Sequence, residues 1–314
     1  MPRSARIGLA AIAATAVAAV AASCGLGPGT GTSNVSLTVT RGFGAGTIAT
    51  VSERKVPGSE TVMRMLERSF TVQTRFGGGF VESINGHSGD SSRHDWFYYV
   101  NGVQAGHGAA TTGVHKGDRI WWDLHDWTVT DSVPAVVGSF PEPFLHGIGG
   151  KRYPTVLECA ADADAACATV SARLKAAGVP VASQLLGTGS GNDSLAVVVG
   201  TWKEVRPVIA AGLVALGPSR SGVYATFAGT DGSSLQLLDD RGQVAQTLGA
   251  GSGLIAATRD SVSAPTWLIT GTDLAGVSAA AAALTPARLR DHFALAIAPG
   301  GGDVPVPVAA KGSS

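Results

Sequence analysis

The stretch Asp95-Trp-Phe-Tyr-Tyr-Val-Asn-Gly-Val103, followed by Gly117-Asp-Arg-Ile-Trp-Trp-Asp-Leu-His-Asp-Trp127, decides how the first half of this chain is read. Both blocks are aromatic-rich runs that begin or end at turn residues, the pattern of strands. Alternation along the second block puts Ile120, Trp122 and Leu124 on one face, which reads as core, and Trp121, Asp123, His125 and Trp127 on the other. In the first block Trp96, Tyr98 and Val100 share a face, as do Phe97 and Tyr99, and one of these sets extends the aromatic row. A row of Trp, Asp and His on an outer face marks a binding surface. The candidate ligand-binding residues are therefore Trp96, Tyr98, Asn101, Trp121, Asp123, His125 and Trp127. The alternative is that a second domain, or the Phe140 to Phe144 segment, covers the row and makes it an interdomain contact.

Upstream, Val35-Ser-Leu-Thr-Val39 alternates at period 2, and Ile48 to Val51 is its partner across the Gly42-Phe-Gly-Ala-Gly46 turn. Ser59 reads as an N-cap, and Val62, Met63, Leu66 and Phe70 recur at helical spacing, which predicts a short helix over 60–70. Val81 to Ile84 returns to strand. Two strands, a helix and further strands predict a small α+β domain over residues 35–132, with a sheet wrapped on one helix.

The two aromatic blocks, one ending in Val100-Asn-Gly102 and the other opening on Gly117-Asp118, resemble the C-terminal domain of transcobalamin and intrinsic factor. The same module occurs alone in bacterial surface proteins. The resemblance implies a β-grasp-like fold and makes cobalamin, or another corrinoid, a ligand to test. It covers residues 35–130, and the large helical barrel that completes the site in the vitamin carriers has no counterpart in this sequence.

Composition shifts near residue 147. Six of the seven His and four of the six Trp lie between 87 and 146, whereas the second half is rich in Ala, Val, Leu and Gly. Residues 133–150, with Pro134, Pro141 and Pro143, read as an extended linker. Residues 151–299 alternate strands with helices and predict an α/β sandwich. This half carries an internal repeat: Leu186-Gly-Thr-Gly-Ser-Gly191 recurs as Leu248-Gly-Ala-Gly-Ser-Gly253. Each copy is followed by a strand ending in Gly-Thr, Leu195 to Thr201 and Trp267 to Thr272, and by an alanine-rich helix, Val205 to Leu216 and Val277 to Leu284. A further helix is predicted over Arg288 to Phe293, and residues 300–314 read as a disordered tail.

Arg3 and Arg6, the uncharged run Ile7 to Ala22 and the small residues before Cys24 form the three-part pattern of a secretory signal over residues 1–23. The Cys after small residues resembles a bacterial lipobox, which implies lipidation of Cys24 and a location on the outer face of the cytoplasmic membrane. Residues 24–34 then read as a flexible spacer, rich in Gly, Thr and Ser. A mature chain from Cys24 has 21 basic and 23 acidic residues, with no basic stripe, which argues against nucleic acid as a partner. Cys159 and Cys167 flank a short polar turn. In an oxidising exterior they read as a disulfide, and a metal site is the alternative.

Neither glycine segment reads as a phosphate loop, because each leads into a strand and no Gly-Lys-Ser/Thr follows. His87, His94, His107, His115, His125 and His146 could hold Zn or Cu only if the fold gathers their loops. Catalysis has little support: no Gly-x-Ser-x-Gly elbow occurs, and the paired-acid candidates are limited to Glu142 and Glu158. The expectation is a non-enzymatic, membrane-tethered protein without a cofactor, binding a flat ring ligand or serving a membrane transporter. A structural adaptor with the aromatic row buried, and a metal-capturing surface protein, are the alternatives.

Overall fold

The computed structural model describes residues 31–309 apart from 91, 230 and 262. The expected signal segment, Cys24 and most of the spacer lie outside the described residues. No helix among the described residues is long and apolar enough to cross a membrane.

The N-terminal part contains β1 (Val35–Arg41), β2 (Gly46–Glu53), α1 (Val62–Ser69), β3 (Val72–Arg75), β4 (Phe80–Ile84), β5 (His87–Ser88), β6 (His94–Val100), β7 (Val103–Gln104) and β8 (Arg119–Asp126). Its main sheet has the order β2-β1-β8-β6-β7, with β1 and β8 parallel and the other pairs antiparallel. Val62, Met63, Met65 and Leu66 of α1 are buried and pack with Leu37, Val39, Ile120 and Trp122. The helix starts later than expected because Thr61, not Ser59, is the N-cap, its hydroxyl accepting from Arg64 N at 3.3 Å.

The C-terminal part contains β9 (Thr155–Cys159), α2 (Asp164–Ala176), β10 (Val181–Leu185), β11 (Leu195–Thr201), α3 (Trp202–Val205), α4 (Ile209–Ala215), α5 (Pro218–Ser221) and β12 (Ala225–Ala228). It continues with β13 (Ser234–Leu238), β14 (Val244–Leu248), β15 (Gly253–Thr258), β16 (Thr266–Gly271), α6 (Leu274–Ala283), α7 (Pro286–Leu289), β17 (Ala294–Ile297) and β18 (Asp303–Val306). Seven strands form one sheet in the order β10-β9-β11-β16-β15-β17-β18, parallel from β10 to β16 and antiparallel beyond. Near-continuous apolar strands such as β11 and β15 are those of a sheet covered on both faces. The chain is a mixed α+β protein.

The two Gly-Thr strands, β11 and β16, are parallel neighbours. Their successors diverge: α6 joins the core on one face of the sheet, while α3 and α4 join the core on the other. The second glycine segment leads first into β15, a strand absent from the first copy. The helix expected over Val205 to Leu216 is split, because Pro207 has no N–H to continue the ladder.

Three sequence expectations fail here. Residues 133–150 are no extended linker: Val136, Val137, Phe140 and Phe144 are buried, and both Phe rings meet Trp267, at 5.8 and 5.1 Å between centroids. Burying those side chains outweighs the extended bias of the prolines. The segment expected as a disordered tail supplies edge strand β18 through residue 306, held by backbone pairing to β17; residues 310–314 lie outside the described residues. The helix expected over Arg288 to Phe293 stops at Leu289, with Asp291 at φ 59°, and Phe293 leads into β17.

Candidate functional site

Period-2 alternation on β8 holds. Ile120 and Trp122 face α1, and Trp121, Asp123 and His125 face away from it. The row is not an open platform, however. Trp121 is 3 %, Asp123 0 % and His125 2 % exposed, because the C-terminal part closes over them. Phe293, just ahead of β17, meets Trp121 edge to face at 5.1 Å and His125 at 5.4 Å. A flat ring ligand, a corrinoid included, finds no exposed face here.

The seam is completed by residues the sequence did not single out. Phe43 sits at φ 59° in the β1–β2 turn and is buried. Its ring stacks on His125 at 4.5 Å and meets Tyr224 and Phe293, each at 5.1 Å. Phe97 stacks on the other side of His125 at 4.4 Å. Tyr99 meets Trp121 at 5.8 Å and Phe293 at 5.5 Å. The available signal was an aromatic residue inside the Gly42-Phe-Gly44 turn, where only a tertiary partner would reward it. Gly44 is needed beside it: its φ is +84°, and a Cβ there would lie 1.8 Å from Asp291 O.

Asp123 is the polar centre of the seam. Its carboxylate accepts from Phe43 N at 3.0 Å and Gly44 N at 2.9 Å, and the Thr40 hydroxyl donates to it. His125 Nδ1 lies 2.9 Å from Asp123 Oδ2, and Trp121 Nε1 donates to Thr40 Oγ1 at 2.7 Å. A His–Asp pair of this kind could orient a general base. Here both members are sealed from solvent and their partners are structural, so the network fixes the turn and the row. Burial pushes the Tyr99 hydroxyl well above the usual tyrosine range, with the Asp123 charge and Tyr224 adding to it.

The remaining candidates part company with the row. Trp96 is in the α1-side core, and Tyr98 stacks on Trp122 at 4.8 Å with its hydroxyl donating to His107 O at 2.5 Å. It is therefore the Phe97/Tyr99 set, not Trp96 and Tyr98, that extends the row. Asn101 is fully buried at φ 55°, donates to Asp118 Oδ1 and Gly147 O at 2.9 and 2.8 Å, and accepts from Arg119 N at 2.9 Å. It holds the turn together. Trp127 lies one residue past β8, half-buried, its N donating to Arg93 O at 2.9 Å. Cys159 and Cys167 are joined by a disulfide that ties β9 to α2.

The histidines stay dispersed. Among the described residues, no three His, Cys, Asp or Glu side chains are placed to share a metal ion. His94, His125 and His146 each pair with one carboxylate, at 2.9, 2.9 and 2.6 Å.

An open concavity lies elsewhere. A groove of about 560 Å³ runs between the Gly187–Gly191 loop, the face of β11 and α4. Glu158 lines it and is 4 % exposed.

A family model described as a domain of unknown function (DUF4430) matches residues 59–126. The match spans α1 to β8 and so includes the aromatic row. No curated protein matches the chain. A crystal structure of a "putative metal binding protein" from Ruminococcus gnavus is similar at 18 % identity, covering 30 % of this chain and 97 % of that one, with a TM-score of 0.25.

Proposed function

We propose that this chain is an exported, membrane-tethered, non-catalytic accessory protein whose two domains work as one adaptor body. The observation behind this reading is the burial of Trp121, Asp123 and His125 beneath Phe293 and Phe43. The most chemistry-bearing surface of the N-terminal part is used up as a domain joint. A joint with a satisfied polar centre and interlocked rings resists domain motion, since buried aromatic pairs add about 0.5–1.5 kcal/mol each beyond their area.

The order β2-β1-β8-β6-β7, with a parallel central pair and one helix across it, supports the β-grasp-like reading of residues 35–132. The signal pattern and Cys24 support export and lipidation. Phe76 and Phe80, 84 % and 63 % exposed, form an edge-to-face pair at the glycine tip joining β3 to β4. An exposed pair of this size is a contact element rather than core, and in this reading it meets a membrane transport protein.

The test is site-specific photocrosslinking from position 76 in intact cells. A discrete membrane-protein adduct, lost when Phe80→Ser is added and when Cys24→Ser releases the chain, is the expected result. No adduct, or an adduct indifferent to both changes, would overturn the reading.

A further inference from the structure

The groove in the C-terminal part is separate from the domain seam and is not used by the adaptor reading. Its walls are mostly apolar, including Leu186, Val198, Ile209 and Leu213. Ile209 stands at its edge, 69 % exposed. Glu158 enters from β9 one residue before the strand ends, opposite Val198 of β11. From there the groove runs along the sheet face to Ala196 and Thr266, at the amino-terminal ends of β11 and β16.

Glu158 is poorly served by the protein. Among the described residues its contacts are Gln184 Nε2 at 3.5 Å and Gly187 N at 3.4 Å, both beyond ordinary hydrogen-bond length. A buried carboxylate is normally paired with a cation or given several short hydrogen bonds. Of the two other groove carboxylates, Asp260 is exposed and accepts from Ser261 Oγ at 3.2 Å, and Glu204 is engaged, accepting from Thr201 N at 2.9 Å and Thr201 Oγ1 at 2.8 Å in a capping box. The groove's cation, Arg259, is half-buried and donates through Nε to Ser261 O at 2.9 Å, beside Thr258 at the end of β15. Thr258 and Glu158 are separated by β11 and β16, so the guanidinium stands at another part of the groove from the carboxylate.

We propose that the groove is a binding site for a small organic ammonium ion: a protonated amine on an apolar chain, its head on Glu158 and its chain along Val198 and Leu213. The head supplies the charge-assisted hydrogen bonds that Gln184 and Gly187 do not. The body replaces water on the apolar wall, as in small-molecule sites generally.

The test is calorimetric titration and thermal unfolding of the purified protein with hexylammonium, hexan-1-ol and hexanoate. Hexylammonium should bind and raise the melting temperature, as any ligand confined to the folded state must, and the alcohol and acid should not. Glu158→Gln should weaken hexylammonium by about tenfold to a hundredfold, while the free protein melts no lower than wild type, because a poorly paired buried charge has been removed. Ile209→Arg, at an exposed position that the fold does not need, should weaken the ammonium several-fold. Absence of hexylammonium binding, equal binding of the alcohol, unchanged binding by Glu158→Gln, or a lower melting temperature of free Glu158→Gln would each overturn the proposal. The last would mark Glu158 as a structural carboxylate. None of these outcomes bears on the crosslink from position 76.

Discussion

Trp121 of β8 and Phe293 ahead of β17 meet edge to face, 5.1 Å apart at 73°, and this contact joins the sheet of the N-terminal part to the sheet of the C-terminal part. Phe293 also touches Phe43, Tyr99 and His125, so four rings of one domain converge on one ring of the other. Phe293→Ala should therefore cost about 3–5 kcal/mol, the usual range for a buried Phe. It should also uncouple the domains. Denaturant unfolding followed by Trp fluorescence is expected to change from one transition to two, and a single transition at wild-type midpoint would refute the joint.

Gly44 is the tightest point of the same seam. A methyl group there would collide with Asp291 O and would sit on a left-handed backbone. Gly44→Ala should lower the melting temperature more than Gly86→Ala, which shares a positive φ but meets nothing within 4 Å. Differential scanning calorimetry of the two variants side by side checks this, and equal shifts would show that backbone strain alone matters.

Tyr99 and Tyr224 are buried with hydroxyls that find no partner among the described residues. A buried hydroxyl without a hydrogen bond is a cost rather than a gain. Tyr99→Phe should leave stability unchanged or raise it, whereas Tyr99→Ala should cost about 3–5 kcal/mol through the lost ring. A clear loss in Tyr99→Phe would mean that a bound water satisfies the hydroxyl.

His292 lies beside the seam, and burial holds its imidazole below the usual range, Asp303 opposing. The unfolded chain takes up this proton near pH 6.5 while the folded chain does not, so stability is full above about pH 6.5 and falls as pH drops toward the folded value. Asp118 and Asp291 run the other way: burial raises both, so their contribution is present at low pH and is lost as pH rises through the raised values. Melting curves between about pH 5 and 7.5 should show the acid-side loss in the wild type and a flatter profile in His292→Gln. Identical profiles would remove His292 as the cause.

The disulfide closes a loop of sequence separation 8. Chain-entropy arguments assign a loop of that size about 2.5 kcal/mol. Cys159→Ser/Cys167→Ser should lose roughly that much by urea titration, with the C-terminal sheet still formed by circular dichroism.

Local pattern was enough for much of this protein. The alternation Ile120-Trp-Trp-Asp-Leu-His125 fixed which side chains share a face, because side-chain direction along a strand has period two whatever the strand packs against. The apolar spacing of Val62, Met63 and Leu66 likewise placed α1, and the mixture of strand and helix patterns gave the α+β class. What covers each face was not in the pattern. Whether Trp121, Asp123 and His125 meet solvent or protein depended on Phe293, 172 positions beyond Trp121, and on a turn that turns Phe43 inward. The linker and tail were misread for the same reason: Pro, Gly and short apolar runs look unstructured until a distant surface, Trp267 for Phe144 and β17 for β18, buries them. Nor could spacing reveal that Glu158 would be buried with only weak partners, since burial and hydrogen-bond length exist only once β9, β11 and the glycine loop are brought together. The sequence determined periodicity, because periodicity is local. The tertiary structure decided exposure, because exposure depends on contacts between residues far apart in the chain.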